Sequence, residues 1–376
     1  MSRSKSTPGV AEIISKAPSL RHFTVTSSTR IATLWSNYGS IDRVYVTRTG
    51  GPNDDDKSTN AAQSSIIVKT VAPPPVRGDA DEGHLRKLLS YEAERFFYQH
   101  LSHSLPAGAK VAKVHPIDHS KDDELPVRLI LEDLATEFPN PAWGSLGRDD
   151  AVIVLDWLAT FHGTFWSLAR SREIRDNVIP PPLQYNVGQP VGVWAQGTYW
   201  YLDTRRDELD STDPTEYSWL LKWTEKVDSA LKKAADQYGS LLHGDVKGAN
   251  IVFSKPSSST PKRCALYDFQ YVGVGAVTRD LVYFLGTSVQ GNLLRRIDQE
   301  KELLQSYHNT LTRTIGQFED RSSLEYTFDK LWKHWELAIV DWYRFMAGWG
   351  FWGNDSWIEK RAREIVTGWE ERGIDL

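Results

Sequence analysis

Residues 241–253, LLHGDVKGANIVF, set a histidine, an aspartate, a lysine and an asparagine between apolar residues, and the run CALYDF follows across the loop SKPSSSTPKR. The short β-prone runs ANIVF and CALYDF, joined by a loop of proline and serine, carry the pattern of a hairpin. This hairpin constrains the fold more than any other segment. Asp245 and Asn250 lie at its entrance and Asp268 at its far end, so pairing of the strands gathers residues distant in sequence. Two carboxylates and an amide oxygen at strand ends make an oxygen-only site, the kind Mg²⁺ prefers when phosphates supply its other ligands.

The hairpin is an exception within its own half of the chain. From about residue 22 to 72 the pattern is strand-like: ATLW, IDRVYVTRT and SIIVKTVA are rich in β-branched or aromatic residues and bounded by turn formers. GGPNDDDKSTNAAQSS between the last two reads as a long, mobile loop, and VAPPPVRGDADEG ends the sheet because repeated proline cannot donate ladder hydrogen bonds. HLRKLLSYEAERFFYQHL then has helical apolar spacing, AKVAKVHPI and PVRLILEDL are further strand candidates, and from residue 134 the chain becomes mainly helical, starting with DDAVIVLDWLATFHGTFWSLAR.

A chain of 376 residues, 40% hydrophobic and 25% charged, is long enough for two lobes with real cores. Its formal net charge of −5 argues against nucleic acid or an anionic membrane surface as the main partner. The single cysteine, Cys264, forms no internal disulfide and no cysteine-rich zinc site. MSRSKSTPGV lacks the apolar core of a secretory signal, and no apolar run approaches a membrane span, so a cytoplasmic location is expected.

H-G-D-x-x-x-x-N followed by D-F-Q resembles the phosphotransfer core of kinase-fold small-molecule kinases, the aminoglycoside phosphotransferase and choline kinase-like superfamily. SIIVK, E-x-x-F-Y from Glu94, LILEDL, WLATFHGTFW, DFQYVGVGAVTRDLVYFL and RFMAGWGFWGN extend the likeness, the last three toward ecdysteroid kinase-like and CHK kinase-like proteins. The resemblance implies a bilobal, protein-kinase-like α+β fold. Residues 1–133 would form a small β-rich nucleotide-binding lobe, with 1–20 and 50–65 flexible, and residues 134–376 a larger, mainly helical catalytic and substrate-binding lobe. It implies ATP and Mg²⁺ as cofactors and a small-molecule alcohol as acceptor, with no nucleic acid or membrane partner. Asp245 would orient the acceptor hydroxyl, Asn250 and Asp268 would hold metal, Lys69 would grip phosphates, and Glu94 would pair with Lys69. Lys247, which many small-molecule kinases with this motif lack, stands at the spacing where protein Ser/Thr kinases place a lysine on the γ-phosphate, and is expected to meet it. Gly39 would belong to the nucleotide loop, and Glu132 and Asp133 to the lobe junction, with solvated carboxylates and with backbone groups available to adenine. His243 and His162 read as structural, and Asp280 as a brace of the catalytic loop or a helix cap.

Two departures stand out. WSNYGSIDRV has only Gly39 where a protein kinase shows G-x-G-x-x-G, and Gln270 replaces the glycine of D-F-G. The first implies fewer phosphate contacts from this hairpin. The second removes the usual pivot and suggests a permanently assembled site, and no A-P-E-like segment follows it. The missing glycine motif and missing activation segment oppose a protein kinase. A non-catalytic binding protein is opposed by the presence of Lys69, Asp245, Asn250 and Asp268 together. Nucleotidyl transfer has no positive sign. For the acceptor, seven of the fifteen tryptophans fall between residues 332 and 369. Trp332, Trp335, Ile339, Trp342, Met346 and Trp349 share one helix face, which reads as core. Phe351 and Trp352, with Asp341 or Asp355, could border a pocket for a cationic amine, and the same rings without the charge would suit a flat apolar alcohol such as a steroid.

Overall fold

The N-terminal strands form an antiparallel sheet whose faces are both covered, which explains why SIIVKTVA is apolar almost throughout. In the computed structural model, which describes residues 9–48, 63–74, 81–117, 127–186, 188–189, 191–318 and 325–376, this sheet has the order β1-β2-β3-β5-β4. Its strands are β1 (Phe23–Thr33), β2 (Gly39–Arg48), β3 (Ser64–Val71), β4 (Val114–His115) and β5 (Val127–Glu132). Helix α1 (Val10–Ser15) covers one face, where Ile13, Ile14, Ala17 and Leu20 bury against Val44, Val46, Ile66, Val68 and Ile130. Residues 9–20 are therefore packed, which corrects the flexibility expected of residues 1–20 for that part; their spacing of Ile13, Ile14, Ala17 and Leu20 is that of a buried helical face. The long loop expected over 50–65 lies outside the described residues up to position 62, and Ser64 and Ser65 already belong to β3.

Helix α2 (Glu82–Phe96) covers the other face. Asp81 caps it, accepting from the His84 amide at 2.7 Å. The helix runs on through a wider turn, Phe97–Leu101, and Phe97 stacks on Phe269 with ring centroids 3.9 Å apart. This contact ties the sheet-covering helix to the second lobe. The β1–β2 turn is short, with Ser36 and Asn37 at φ 55° and 60°.

The second lobe is mainly helical: α3 (Arg148–Thr164), short α4 (Arg172–Arg175) and α5 (Arg206–Asp210), then α6 (Ser218–Tyr238), α7 (Thr278–Ser288), α8 (Ile297–Ile315), α9 (Phe328–Trp349) and α10 (Asp355–Glu371). The predicted hairpin forms: β10 (Ile251–Phe253) pairs with β11 (Cys264–Leu266) in antiparallel register, Ile251 opposite Leu266, and β6 (Asn140–Pro141) joins β10. A second small sheet has the order β7 (Val178–Ile179), β8 (Val193–Trp194), β12 (Gly273–Gly275), β9 (Ser240–Leu242). Trp335, Ile339, Trp342 and Met346 are fully buried along α9, whereas Trp349 at its end is 53% exposed. The stripe is core, as its spacing predicted. The result is the two-lobed α+β architecture expected from the sequence. Among the described residues no helix is long and apolar enough to cross a membrane.

Candidate active site

The loop after β9 is held from below by one buried carboxylate. Asp280, near the start of α7, accepts from the backbone amides of His243 (2.7 Å, Oδ2) and Gly244 (3.0 Å, Oδ1). Gly244 stands at φ 84°, and a Cβ there would lie 2.1 Å from the Tyr271 carbonyl, so only glycine lets the chain pass. His243 accepts from the Asp245 amide through Nδ1 and donates through Nε2 to the Tyr267 carbonyl. Burial holds its pKa below the usual histidine value, so it is a neutral loop organiser. His162 bridges Tyr307 and Asp280, also in the interior. The structural readings of all three residues agree with these contacts.

Asp245, thus placed, receives three donors. Tyr283 Oη donates to Oδ1 at 2.9 Å, Asn250 Nδ2 to Oδ2 at 3.0 Å, and Lys247 Nζ lies 2.9 Å from Oδ2. Asn250 also spends its Nδ2 on the Asp245 carbonyl, which leaves its amide oxygen as the end available to a cation. Tyr283 was not singled out from the sequence. The signal was present: Asp280 and Tyr283 are three residues apart on α7 and share a face, so the residue that braces the loop predicts a neighbour reaching its aspartate.

The hairpin register carries Asp268 to the same place, since the Tyr267 amide donates to the Asn250 carbonyl at 3.2 Å. Asp268 adopts φ 69°, a costly conformation for a non-glycine residue that clusters at functional sites. Its Oδ1 is buried without a hydrogen-bond partner and lies 3.8 Å from Lys69 Nζ. Lys69, on β3, meets Glu94 Oε2 at 2.5 Å. Burial alone would pull the lysine down, but Glu94 and Asp268 outweigh it and hold its pKa above the ordinary value, so it stays charged. An orphaned carboxylate oxygen beside a free amide oxygen suits a hard cation. Among the described residues no group of three or more His, Cys, Asp or Glu side chains could cage a metal alone. That donor set fits Mg²⁺ carried in with phosphate oxygens.

Gln270 is fixed rather than free to flip. Trp194 Nε1 donates to its carbonyl at 2.8 Å, Ser90 Oγ lies 3.2 Å from its side-chain oxygen, and β12 follows at once in the small sheet.

Other residues singled out from sequence lie apart from this cluster. Gly39, at φ 144°, is demanded by the β3 backbone, because a Cβ would sit 1.9 Å from the Thr70 carbonyl. Glu132 and Asp133 do not have the solvated carboxylates expected of them. Glu132 binds Lys110 at 2.8 and 2.9 Å, and Asp133 binds Arg43 at 2.6 Å and Ser65 at 2.8 Å. Sequence reasoning missed these because the basic partners come from other elements. Asp341, proposed to face an amine, is 2% exposed between Arg344 (2.5 Å) and Arg279 (3.3 Å), so its charge is already answered. Asp355 begins α10 and binds Ser356. Phe351 packs on Tyr343 with centroids 5.6 Å apart, and Trp352 meets Trp342 edge-on at 5.2 Å. Trp342 in turn lies 5.0 Å from Tyr283, so Trp352 is two rings removed from Asp245.

The sequence model of the ecdysteroid kinase-like family matches residues 36–319. No curated protein matches the chain. Among solved structures it is similar to a microcompartment-associated aminopropanol kinase at 14% identity, covering 93% of each chain with a TM-score of 0.44. A choline kinase from Cryptosporidium parvum is 10% identical, covering 94% of this chain and 92% of that one, with a TM-score of 0.46. An aminoglycoside phosphotransferase from Streptomyces rimosus, solved with ADP and streptomycin, is 14% identical over 81% of this chain and 90% of that one, with a TM-score of 0.38. With three quarters of its length matched by that one sequence model and its two-lobed fold in agreement, the chain belongs to the ecdysteroid kinase-like family.

Proposed function

We propose that the protein is an ATP- and Mg²⁺-dependent phosphotransferase that phosphorylates a hydroxyl of a small molecule. One observation carries the reading: Asn250 donates to the Asp245 carboxylate, Tyr267 beside Asp268 pairs with Asn250, and Asp268, with its orphaned oxygen, lies 3.8 Å from Lys69 of the Lys69–Glu94 pair, so that residues of both lobes meet. Residues 1–133 act as the nucleotide-binding lobe and 134–376 as the catalytic and acceptor-binding lobe. Membership of a kinase-like family supports this division.

Lys69 neutralises charge on the nucleotide phosphates, and Glu94 keeps its ammonium pointed there. Asn250 and Asp268 would hold the metal, which would supply positive charge against the phosphate oxygens and the ADP leaving group. Asp245 accepts a hydrogen bond from the acceptor hydroxyl, so that its oxygen lies in line with the γ-phosphorus. That oxygen forms the new P–O bond as the bond to the β–γ bridging oxygen breaks, and the hydroxyl proton passes toward Asp245. Lys247, paired with the same carboxylate, faces the charge developing on the transferred group. The dependence on ATP and the single cysteine fit the cytoplasm.

The test is incubation with Mg-ATP and a broad metabolite mixture, followed by mass spectrometry. A gain of about 80 Da on an alcohol, absent with Asp245→Asn, is the expected result. A gain of about 329 Da would mean adenylate transfer, and no gain at all would leave only a binding protein.

A further inference from the structure

The loop SKPSSSTPKR, which joins β10 to β11, takes no part in the chemistry above, yet it links two residues of the site: Asn250 precedes β10 and Asp268 follows β11. Its base is closed where the Ser254 amide donates to the Arg263 carbonyl at 2.9 Å and the Arg263 amide to Ser254 Oγ at 2.9 Å. From Lys255 to Pro261 every residue is exposed. Within this stretch the Ser257 amide donates to the Thr260 carbonyl at 2.9 Å and the Thr260 amide to Ser257 Oγ at 3.1 Å. Ser257 Oγ, 3.4 Å from Ser259 Oγ, is thereby engaged, whereas the Thr260 hydroxyl has no hydrogen-bond partner among the described residues. Pro261 has no N–H and a fixed φ, so it biases Thr260 away from helix and toward extended chain.

Two basic residues follow. Lys262 binds Asp150 at the start of α3 at 2.6 Å, and Arg263 binds Glu137 in the connection that follows the lobe junction. The Arg263 and Glu137 side chains are 40% and 44% exposed, so their pair is worth little. Glu137 takes Nη2 of Arg263, and Arg263 Nε is buried without a partner. An unused donor beside a weak ion pair suits a phosphate, which takes a guanidinium through two nitrogens at once.

We propose that Thr260 is a regulatory phosphorylation site for a proline-directed serine/threonine protein kinase, and that its phosphate draws Arg263 off Glu137 and so loosens the Asn250–Asp268 hairpin from the connection between the lobes. In the transfer the Thr260 oxygen forms a bond to the γ-phosphorus of ATP as the bond to the β–γ bridging oxygen breaks. ADP leaves, and the hydroxyl proton passes to the catalytic base of the modifying kinase. The loop gains about 1.5 to 2 negative charges close to Arg263. Loosening the hairpin weakens Mg-ATP binding, a consequence that rests on the reading of Asn250 and Asp268 as the metal-holding residues.

The full chain is treated with Mg-ATP and a purified kinase of that class, digested, and mapped by mass spectrometry. The peptide holding Thr260 should gain about 80 Da, with no gain there in Thr260→Val. By calorimetry the phosphorylated wild type should bind Mg-ATP about threefold more weakly than before treatment, the size expected of a half-exposed ion pair. Arg263→Gln should show the same loss before treatment and none further after it, and Thr260→Val should match the untreated wild type throughout. No gain on Thr260 in the folded protein overturns the proposal. So does phosphorylation that leaves Mg-ATP affinity unchanged, or that weakens it again in Arg263→Gln. Should Arg263→Gln not fold, treated wild type against treated Thr260→Val decides. An untreated wild type that binds no Mg-ATP would strike the reading of the metal site instead. The gain on Thr260, with faster amide hydrogen exchange across β10 and β11, would still decide for this proposal, and the lack of either against it.

Discussion

Asp245 carries more hydrogen bonds than a carboxylate waiting for one substrate proton requires, and each donor has a different task. Tyr283 and Asn250 are buried and fix its orientation, whereas the Lys247 side chain is 40% exposed. A half-exposed ion pair adds little to stability, so the worth of Lys247 should appear in the transition state. Lys247→Ala is expected to lower kcat by roughly 10²-fold with less than about a fivefold change in the KM for ATP, as steady-state kinetics would show. Unchanged kcat would return it to the solvated surface. Asp245 and Asp268 should separate in the same way: Asp245→Asn spares Mg-ATP binding and abolishes turnover, whereas Asp268→Ala, which removes the orphaned oxygen, weakens Mg-ATP binding by calorimetry as well. At this scale the spacing H-G-D-x-x-x-x-N with D-F-Q was enough to name Asp245, Asn250 and Asp268, because one hairpin brings them together. Tyr283 was not legible, since its meaning depends on a contact with the loop after β9.

Among the elements, α9 shows how periodicity can be right about a face and silent about its ends. The spacing of Trp335, Ile339, Trp342 and Met346 locates the buried side, but not that Asp341 on the same helix is neutralised by Arg279 and Arg344. Nor does it show that His334 is drawn into a buried cluster, with Nδ1 3.1 Å from Tyr326 Oη. Burial, reinforced by Lys330 and Lys333, pushes His334 down to about 4. The folded state therefore favours the neutral ring, while the unfolded chain binds a proton from about pH 6.5 downward. This contribution is fully present above pH 6.5 and is lost as pH falls toward 4, and buried His243, also depressed, acts in the same direction. Urea unfolding at pH 7 and pH 5 should differ by roughly 2 kcal/mol through His334, and His334→Gln should remove most of that difference. An equal pH dependence in the variant would place the acid sensitivity elsewhere. Tight helix contact makes a second case: at Gly163 in α3 a Cβ would lie 2.6 Å from the Thr314 side chain of α8, so Gly163→Ala should cost about 1–3 kcal/mol in the same assay.

In the whole molecule the two lobes share their largest core. The largest buried cluster contains Leu89, Ala93 and Phe97 of α2 and its extension, Leu129 and Leu131 of β5, and the interior of the helical lobe from Leu134 to Trp369. Among the described residues, the outer face of the sheet under α1 has a core to itself, and Leu34, Tyr38, Val71 and Tyr91 form a further small cluster. The strand and helix pattern of the sequence suggests a change of character near residue 133 but not this sharing, because a pattern marks which faces are apolar and not what they meet. Ser90 to Gln270 and Arg86 to the Thr204 carbonyl add polar ties across the same boundary. With α2 fastened in this way, Glu94 stays beside Lys69 without an activation segment to place it, in keeping with Gln270 being held by Trp194. The consequence is thermodynamic. Calorimetry of the full chain should show one cooperative transition, shifted upward by saturating Mg-ATP by the full mass-action amount, about 2.7 kcal/mol at a hundred times Kd. A fragment of residues 134–376, deprived of Phe97 and its neighbours, should fail to give that transition, and Phe97→Ala in the full chain should cost about 3–5 kcal/mol while keeping the unfolding single. Two resolved transitions, with only the smaller one responding to nucleotide, would mean that the N-terminal lobe folds and binds by itself and that the shared core is not what assembles the site.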